Sequence, residues 1–304
     1  MKKDKLILLI IWLLVIHPSK AQEKELPSMY ETGSFFITVF PEIQQEKSRD
    51  ILIGATDDML KQHITEGTFS IAVNAFMVET PDHTALVDAG SGQKLFNHLE
   101  TCGKKAEDID IILLTHLHGD HTGGLLRDGE KSFPAAKLYV SRPEYDYWMS
   151  EEIISDLPEN RQKSFTGARK VLNAYKENLH VFIPEEAGNT GDELLPGIRG
   201  IAAYGHTPGH TAYLLHSEHE RLLIWGDIAH AMDIQIPYPQ VAVTYDVNPA
   251  QAIESRQKLL KYVSDNKIRI AGMHIEYPGM GDIRGDSLKG YDFTLLCTCE
   301  GTFR

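Results

Sequence analysis

From residue 70 onward, apolar and polar positions fall into short segments whose spacing is typical of strands and then of helices. Residues 70–78 and 84–87 are largely apolar and flank the turn residues 81–83, which predicts a β-hairpin. Residues 109–114 form an apolar run of strand length, as expected of a strand that is buried on both faces. The regular part of the chain is therefore predicted to begin with strands.

Further segments continue this alternation to about residue 271. Residues 249–263 predict an amphipathic helix, because Pro249 suits the first turn and Ile253, Leu259 and Leu260 supply an apolar face. No linker interrupts the alternation, which predicts one α/β domain with its chemistry at strand ends. The other predicted strands are residues 136–140, 198–203, 212–215, 221–225 and 268–271, and the other predicted helices are residues 93–100 and parts of 150–176.

The first 21 residues predict a secretory signal and not a part of the fold. Lysines follow Met1, apolar residues occupy positions 6–16, and Ser19 and Ala21 stand where a signal peptidase cuts. An uncleaved anchor is the alternative, but this apolar run is too short to span a bilayer. We therefore expect a periplasmic or secreted protein. The chain divides into a signal peptide (1–21), an N-terminal extension of mixed polarity that either extends a sheet or covers a site (22–67), and a main domain (68–304).

Charge and cysteine content narrow the classes of partner. The 304 residues carry 43 acidic and 30 basic side chains, a net charge of −13, and loss of residues 1–21 would make it −16. So acidic a chain repels nucleic acid and anionic membranes, and we expect neither as a partner after signal cleavage.

The three cysteines of the chain are Cys102, Cys297 and Cys299, and because this number is odd, at least one stays unpaired within the chain. A bridge from Cys102 to either of the others is left open.

Residues 115–124, THLHGDHTGG, concentrate metal-binding side chains at the end of a predicted strand. His116 and His118 are two positions apart and can converge on one cation, whereas Asp120 and His121 point to a second. Imidazole nitrogens and carboxylate oxygens are the ligands that zinc and similar cations prefer. Four such side chains in so short a segment predict a metal site.

Other metal-capable residues also follow apolar strands. His206 and His210 lie in GHTPGHT, Asp227 follows LLIWG, and His274 follows IRIAGM. The Asp227 carboxylate can bridge two cations through its two oxygens. Asp88, in ALVDAG, is placed to anchor residues 115–124, the metal loop, by hydrogen bonds.

The motifs HLHGDH, VDAG, GHTPGH, GD and the late histidine resemble those of the metallo-β-lactamase superfamily, over about residues 68–290. The resemblance implies an α/β fold in four layers, an αβ/βα sandwich with a metal site at one edge of its two sheets. It also implies that His206 is a ligand while His210 supports the loop. It assigns His116, His118 and His206 to one metal, Asp120, His121 and His274 to the other, and Asp227 to both.

Within the superfamily, GHTPGHTAYLL, LIWGDIAH, GMHIEYPGMG and VSRPEYDYW resemble the branch that includes methyl parathion hydrolase and exported lactonases and arylesterases. Quorum-signal lactonases carry a tyrosine three residues after the bridging aspartate, where this chain has His230. That histidine is expected either to donate a hydrogen bond to a developing oxyanion or to pack. The histidines without an expected task are His63, His98, His180, His216 and His219.

The resemblance implies an exported hydrolase with two Zn²⁺ ions, or other divalent metals, that cleaves ester, lactone or phosphotriester bonds with a metal-bridging hydroxide. Asp120 is expected to relay a proton, and His230 is the candidate donor of a hydrogen bond to the oxyanion. A β-lactamase-like amidase and a non-catalytic periplasmic metal-binding protein are the alternatives. If the aromatic residues Tyr145, Tyr147 and Trp148 line the cleft, a small neutral or hydrophobic substrate is favoured. The oligomeric state is open, with a homodimer as one alternative.

Overall fold

The chain forms two β-sheets flanked by helices in a computed structural model that describes residues 26–64, 66–189 and 191–296. The predicted signal peptide, Cys297 and Cys299 lie outside these residues, so what the sequence predicts about them stays a prediction. In chain order the described strands are β1 (Ser28–Thr32), β2 (Phe35–Ser48), β3 (Leu52–Ile53), β4 (Thr68–Glu79), β5 (Thr84–Val87), β6 (Ile111–Leu113), β7 (Leu126–Arg127), β8 (Glu130–Lys131), β9 (Lys137–Ser141), β10 (Leu179–Phe182), β11 (Ile198–Ala202), β12 (Thr211–Ser217), β13 (Glu220–Ile224), β14 (Ala242–Val243), β15 (Arg269–Ala271), β16 (Met280–Asp286) and β17 (Gly290–Leu295).

Helices connect these strands and cover the outer faces of the sheets. The longest described helix begins where the Asn248 side chain accepts a hydrogen bond from the Gln251 amide, and it ends at Lys267, whose φ of 52° is left-handed. The described helices are α1 (Asp57–His63), α2 (Leu95–Thr101), α3 (Gly119–Thr122), α4 (Arg142–Met149), α5 (Glu151–Ser155), α6 (Glu159–Ala174), α7 (Met232–Gln235) and α8 (Pro249–Asn266), with 3-10 helices at Arg49–Ile51, Ala106–Asp108, Gly123–Leu125 and Lys176–Asn178.

The first sheet has seven strands in the order β1-β2-β4-β5-β6-β9-β10. The strands from β5 to β10 run parallel, and β1, β2 and β4 extend the sheet by antiparallel pairing. Parallel strands end at the same edge of a sheet, so Asp88 after β5 and His116 after β6 emerge close together.

The second sheet has six strands in the order β11-β12-β13-β15-β16-β17, and among them only β13 and β15 pair in parallel. The Thr211 amide, at the start of β12, donates a hydrogen bond to the Thr115 carbonyl oxygen at 2.9 Å. This bond joins the metal loop after β6 to the edge of the second sheet, so loops from both sheets meet there.

Apolar clusters fill the spaces between four layers. Between the sheets, Phe76 and Val87 of the first sheet pack with Tyr213 and Ile224 of the second. The outer face of the first sheet packs against α2, α4 and α6, and that of the second packs against α8. The order helix, sheet, sheet, helix confirms the predicted αβ/βα sandwich. The predicted strands lie within two residues of observed ones, whereas β2 and the β16–β17 hairpin were not predicted.

The N-terminal extension is continuous with the first sheet. From Phe36 to Ser48, β2 pairs with β4, and β3 pairs with β14. Residues Gln45 and Lys47 of β2 line a cleft beside the predicted metal ligands. The extension therefore adds strands to the sheet and also contributes to the site. None of the described helices combines the length and apolar character needed to cross a bilayer.

Candidate metal centre

The predicted metal ligands lie together where strands of both sheets end. His116 and His118 follow β6, His206 lies between β11 and β12, Asp227 follows β13, and His274 follows β15. Segments far apart in sequence thus supply side chains to one edge of the sandwich. That these side chains bind metal stays a prediction, and their geometry can be compared with what a cation requires.

The first group consists of His116, His118, His206 and Asp227. The Nδ1 atom of His118 lies 2.9 Å from Nε2 of His116 and 3.1 Å from Nε2 of His206. Oδ2 of Asp227 lies 3.2 Å from Nε2 of His206 and 3.7 Å from Nε2 of His116. Ligand atoms of a tetrahedral zinc site with bonds of about 2.0 Å are about 3.3 Å apart, so these four atoms are spaced to surround one cation.

Asp120, His121 and His274 form a second group beside the first. Oδ2 of Asp120 lies 3.8 Å from Nε2 of His121 and 4.0 Å from Nε2 of His274. Asp227 reaches this group too, because its Oδ1 is 3.2 Å from Nε2 of His121 and its Oδ2 is 2.9 Å from Nε2 of His274. The Asp227 carboxylate therefore contacts both groups, as a bridging ligand must.

Two atoms at the centre of this cluster are buried without a hydrogen bond. These atoms are Nε2 of His121 and Oδ1 of Asp227, which lie 3.2 Å apart without forming a hydrogen bond and have no other hydrogen-bond partner among the described residues. Leaving a buried polar atom unpaired costs about 1–3 kcal/mol, and a bound cation would remove that cost. Imidazole nitrogens and carboxylate oxygens suit zinc and similar divalent cations. The residues present therefore fit two such ions.

The ligand imidazoles are held from behind through their other ring nitrogens. Nδ1 of His121 lies 2.6 Å from Oδ2 of Asp88, which is the anchoring contact predicted for that aspartate. Nδ1 of His206 lies 2.9 Å from Oδ1 of Asp246, a residue that sequence reasoning missed. Such partners fix the tautomer and orientation of a ligand ring. The remaining contacts join Nδ1 of His116 to the Thr115 hydroxyl at 3.0 Å and Nδ1 of His274 to the Ala72 carbonyl oxygen at 2.7 Å.

Carboxylates and imidazoles shift one another's protonation in the metal-free cluster. Burial lowers the pKa of His206, but Asp227 and Asp246 outweigh it and raise that pKa to about 9. Burial and the nearby His206 ring lower the pKa of His118 to about 3. Burial opposes ionisation of Asp227, but the surrounding imidazoles, His121 first, hold its pKa well below the usual range. Protons therefore occupy part of this cluster at pH 7 and must leave when cations bind.

A buried carboxylate on α4, Glu144, ties the metal loop to the β11–β12 loop. Its Oε1 accepts hydrogen bonds from the Leu117 amide at 2.9 Å and the Trp148 indole at 2.6 Å. Its Oε2 accepts hydrogen bonds from the Thr207 hydroxyl at 2.6 Å and the Gly209 amide at 3.0 Å. Sequence reasoning assigned no role to Glu144, although it joins the two loops that carry the three histidines of the first group.

His230 lies against the cluster and faces the same cleft. Its ring stacks on His274, with centroids 4.4 Å apart, and its Nε2 lies 3.3 Å from Oδ2 of Asp227. Its Nδ1 is buried and has no hydrogen-bond partner among the described residues. Burial and the His274 ring lower the pKa of His230 to about 4, so the imidazole is neutral at pH 7. Asp227, His230 and His274 also form a third group whose ligand atoms lie within 4.8 Å of one another.

The other histidines lie where they can support the fold. Nδ1 of His210 donates to the Ala203 carbonyl oxygen at 2.9 Å, and its Nε2 accepts from the Asp227 amide at 2.9 Å, so it supports the loop as expected. His63 lines a neighbouring pocket, His98 stacks on Phe40, His180 stacks on Tyr139, His216 lies 2.9 Å from Glu193, and His219 is exposed.

Of the aromatic residues after the metal loop, Trp148 and Phe165 lie in the core, and Tyr145 and Tyr147 are partly buried against it. Trp148 and Phe165 are each 2% exposed, their ring centroids are 4.6 Å apart, and Tyr147 packs against both. None of these rings is among the residues that line the cleft beside the metal cluster, and the expectation of a neutral or hydrophobic substrate stays a prediction. A cleft of about 580 Å³ beside the metal cluster is lined by predicted ligands together with Gln45, Lys47, Arg161, Ser164, Thr244 and Tyr245.

Comparisons with known proteins agree with this architecture. The family model described as the metallo-β-lactamase superfamily matches residues 71–274, more than half of the chain. The crystal structure of hydrolase AbOPH in the β-lactamase superfamily superposes with a TM-score of 0.79 at 28% identity, covering 89% of this chain and 97% of that one.

Two curated relatives match over shorter segments. Anti-Pycsar protein Apyc1 of Paenibacillus sp. (strain J14) is 28% identical over 148 residues, which cover 48% of this chain and 57% of that protein. An N-acyl homoserine lactonase of Bacillus sp. is 31% identical over 129 residues, which cover 41% of this chain and 40% of that protein. The chain thus spans only about half the length of either relative.

Proposed function

The chain belongs to the metallo-β-lactamase superfamily, and from that premise we propose that it is a dinuclear zinc hydrolase of ester, lactone or phosphotriester bonds. The observation that carries this proposal is the convergence of the seven predicted ligands on two adjacent groups that share Asp227. The names of an N-acyl homoserine lactonase and of a hydrolase in the superfamily support hydrolysis, and the first supports a lactone as the bond that is cleaved. Membership of the methyl parathion hydrolase-like branch stays a prediction.

The two groups of ligands suit hydrolysis because they adjoin one cleft. Two divalent cations bound there would supply a water of lowered pKa and polarise a carbonyl or phosphoryl oxygen. His116, His118 and His206 would hold one cation, Asp120, His121 and His274 the other, and Asp227 both. The partners behind the rings, such as Asp88 and Asp246, keep the nitrogens directed at these positions.

Asp120 is suited to move a proton. Its side chain is 42% exposed and lines the cleft, whereas the other side chains of its group are buried. Burial raises its pKa, but His121 and His274 outweigh that effect and lower it, so the carboxylate is ionised at pH 7. We assign Asp120 the transfer of a proton from the attacking water to the leaving oxygen.

His230 is suited to donate a hydrogen bond to the reacting group. The ring is neutral at pH 7, and its Nε2 faces Asp227 at the centre of the cluster. A substrate oxygen that reaches the cations would come close to this nitrogen. A hydrogen bond from Nε2–H would stabilise negative charge that develops on that oxygen in the transition state.

The test is turnover of p-nitrophenyl esters, acyl lactones and phosphotriesters by the zinc-loaded protein, with and without chelator. We expect chelator-sensitive turnover, and we expect Asp120→Asn to lower kcat by roughly a hundredfold or more, with a parallel loss of zinc from the second group. Two bound zinc ions without turnover of any substrate would favour the non-catalytic alternative. Turnover of a chromogenic cephalosporin alone would favour the amidase.

Export is a separate part of the proposal. It rests on the charged, apolar and small residues of positions 1–21, and it places the mature enzyme in the periplasm or outside the cell. The mass of the protein recovered from the non-cytoplasmic fraction tests it: we expect the mature chain to begin at Gln22. An intact residue 1 in that fraction would contradict cleavage.

A further inference from the structure

The cleft beside the metal cluster contains two cationic side chains from different layers of the fold. Lys47 lies on β2 in the first sheet, and Arg161 lies in the first turn of α6. Lys47 is half-buried, whereas Arg161 is exposed. The acidic residues that line this cleft, Asp120 and Asp227, are both directed at the predicted metal positions.

Neither cation has a carboxylate partner. Within the described residues, the Lys47 ammonium and the Arg161 guanidinium take part in no hydrogen bond or ion pair. The chain carries 43 acidic side chains and 30 basic ones, so carboxylates are in excess over possible cationic partners. The two cations of this cleft are nevertheless without a carboxylate in the part of the chain that the structure describes. Three other partly buried cations have carboxylate partners: Arg169 with Glu151, Arg199 with Glu193, and Lys104 with Glu79. Lys131 and Arg256 have none among the described residues, but each donates to backbone carbonyl oxygens.

Water alone can stabilise the charge of an unpaired lysine on an open surface, but Lys47 is partly withdrawn from water. Lys47 is half-buried and lines the same cleft as Ile71 and Val73, which are each 3% exposed and form an apolar part of the wall. Two bound divalent cations would carry more positive charge than the negative charge of Asp120 and Asp227, and Lys47 and Arg161 would add to that excess. Low-dielectric walls focus such a field and favour an anionic ligand.

We propose that the substrate carries an anionic oxygen group, a carboxylate or a phosphate, apart from the bond that is cleaved, and that Lys47 and Arg161 bind it. This proposal rests on the proposed hydrolase function and narrows its substrate class. It differs from the neutral substrate expected from the sequence, an expectation that depended on aromatic side chains that are not among the residues lining this cleft. Lys47 and Arg161 act in binding and specificity, and the metal ligands act on the reacting bond.

The kinetic test compares two esters of equal chain length on the zinc-loaded protein, 4-nitrophenyl hexanoate and the mono-4-nitrophenyl ester of adipic acid. We expect wild type to prefer the adipate ester. In the Lys47→Met, Arg161→Gln double variant, the ratio of kcat/KM for the adipate ester to kcat/KM for the hexanoate ester should fall roughly tenfold or more. The 6-phosphonohexanoate ester, tested in parallel, distinguishes a phosphate from a carboxylate as the preferred group.

Matched controls exist on the same elements of the fold. Lys163, on α6, and Lys137, on strand β9, are exposed and are not among the residues that line this cleft. Lys163→Gln and Lys137→Met remove charge without touching the cleft, so both should retain the preference for the anionic ester. An equal loss in these controls would assign the effect to net charge and would overturn the proposed binding site.

A binding measurement separates this proposal from the hydrolase function itself. Calorimetry on the zinc-loaded protein compares dicarboxylates of four to eight carbons with hexanoate, since each ligand offers one carboxylate to the cations and only the dicarboxylates offer a second. We expect the double variant to weaken the best dicarboxylate roughly tenfold relative to hexanoate. If wild type hydrolyses no ester but this difference is found, the hydrolase proposal fails and the anion site stands. If esters are hydrolysed and neither measurement shows the difference, the anion site is wrong.

Discussion

Two buried carboxylates stand behind the predicted metal ligands, and they support the site in different ways. Asp88, after β5, contacts a ligand directly, because its Oδ2 lies 2.6 Å from Nδ1 of His121. The two oxygens of Asp88 also accept hydrogen bonds from the Thr115 amide at 2.8 Å and the Thr115 hydroxyl at 2.7 Å. Glu144, by contrast, accepts four hydrogen bonds, and all four donors belong to residues that are not predicted ligands.

This difference separates control of a ligand's charge from control of its position. Asp88 helps to hold the pKa of His121 well above its usual value, against the effect of burial and together with Asp227 and Asp120. Glu144 binds the amide of Leu117, which lies between two ligands in the chain, and groups in the loop after His206. Loss of Asp88 should therefore weaken metal binding, whereas loss of Glu144 should loosen the loops.

The largest expected effect is the loss of metal affinity in Asp88→Asn. The amide keeps the shape of the carboxylate but not its charge, so the His121 ring loses its anionic partner, and affinity at the second group should fall about 10–100-fold. Competition with a chromophoric chelator measures this affinity, and circular dichroism checks the fold. Glu144→Gln is the matched variant: it should keep wild-type affinity and lose about 1–3 kcal/mol of unfolding free energy, since an amide cannot accept all four hydrogen bonds. Equal losses of affinity in both variants would erase the distinction.

A smaller effect is expected on stability when a side chain is added at Gly209, which packs against Glu144, and the charge of Glu144 is kept. A Cβ atom at Gly209 would overlap the backbone nitrogen of Glu144, so Gly209→Ala should lower the unfolding free energy by about 1–3 kcal/mol. Gly119, inside the HGDH motif, is the matched control, because a Cβ there meets nothing within 4 Å. Denaturant titration of both variants tests this, and a Gly119→Ala loss as large as that of Gly209→Ala would contradict it. The φ of Gly119 is not positive, so an alanine can adopt the backbone conformation found there.

The residues that could be predicted from sequence share one property, which is a local signal. His116, His118, Asp120 and His121 are dense in one loop, and Asp88 follows directly after a short apolar strand. Parallel strands end at a common edge, so strand-end residues from distant segments could be expected to meet. The core strands were predictable for the same reason, since each is a short segment of mainly apolar residues.

The residues that were missed have partners far away in sequence. Ser141 and Glu144 show the Ser-x-x-Glu spacing of an ordinary capping box, and nothing local reveals that Glu144 reaches the β11–β12 loop. Asp246 meets His206 across 40 positions. Strand β2 was hidden because its second half is exposed and polar and because a bulge interrupts its register after Pro41.

The smallest expected effect is a difference in the pH dependence of stability, and it tests whether Asp88 acts through charge. In the metal-free protein the pKa of His206 is about 9, above its ordinary value of 6.5, so its stabilising contribution is full below pH 6.5 and is lost as pH rises to 9. The pKa of His121 is raised as well. Cations compete with these protons, so the stabilisation that zinc adds should grow across the same window, by about 1.4 kcal/mol per pH unit for each proton displaced.

The measurement is the unfolding midpoint of zinc-loaded and chelated protein at pH 6.5, 7.5 and 9, in wild type and in the two carboxylate variants. Wild type and Glu144→Gln should show the same growth of the zinc effect with pH, because Glu144 touches no imidazole whose proton a cation displaces. Asp88→Asn should show a shallower growth, because His121 gives up its proton more easily when Asp88 no longer stabilises the charged ring. Parallel curves for all three proteins would mean that Asp88 positions His121 without influencing its proton, and the two carboxylates would then differ only in which atoms they hold.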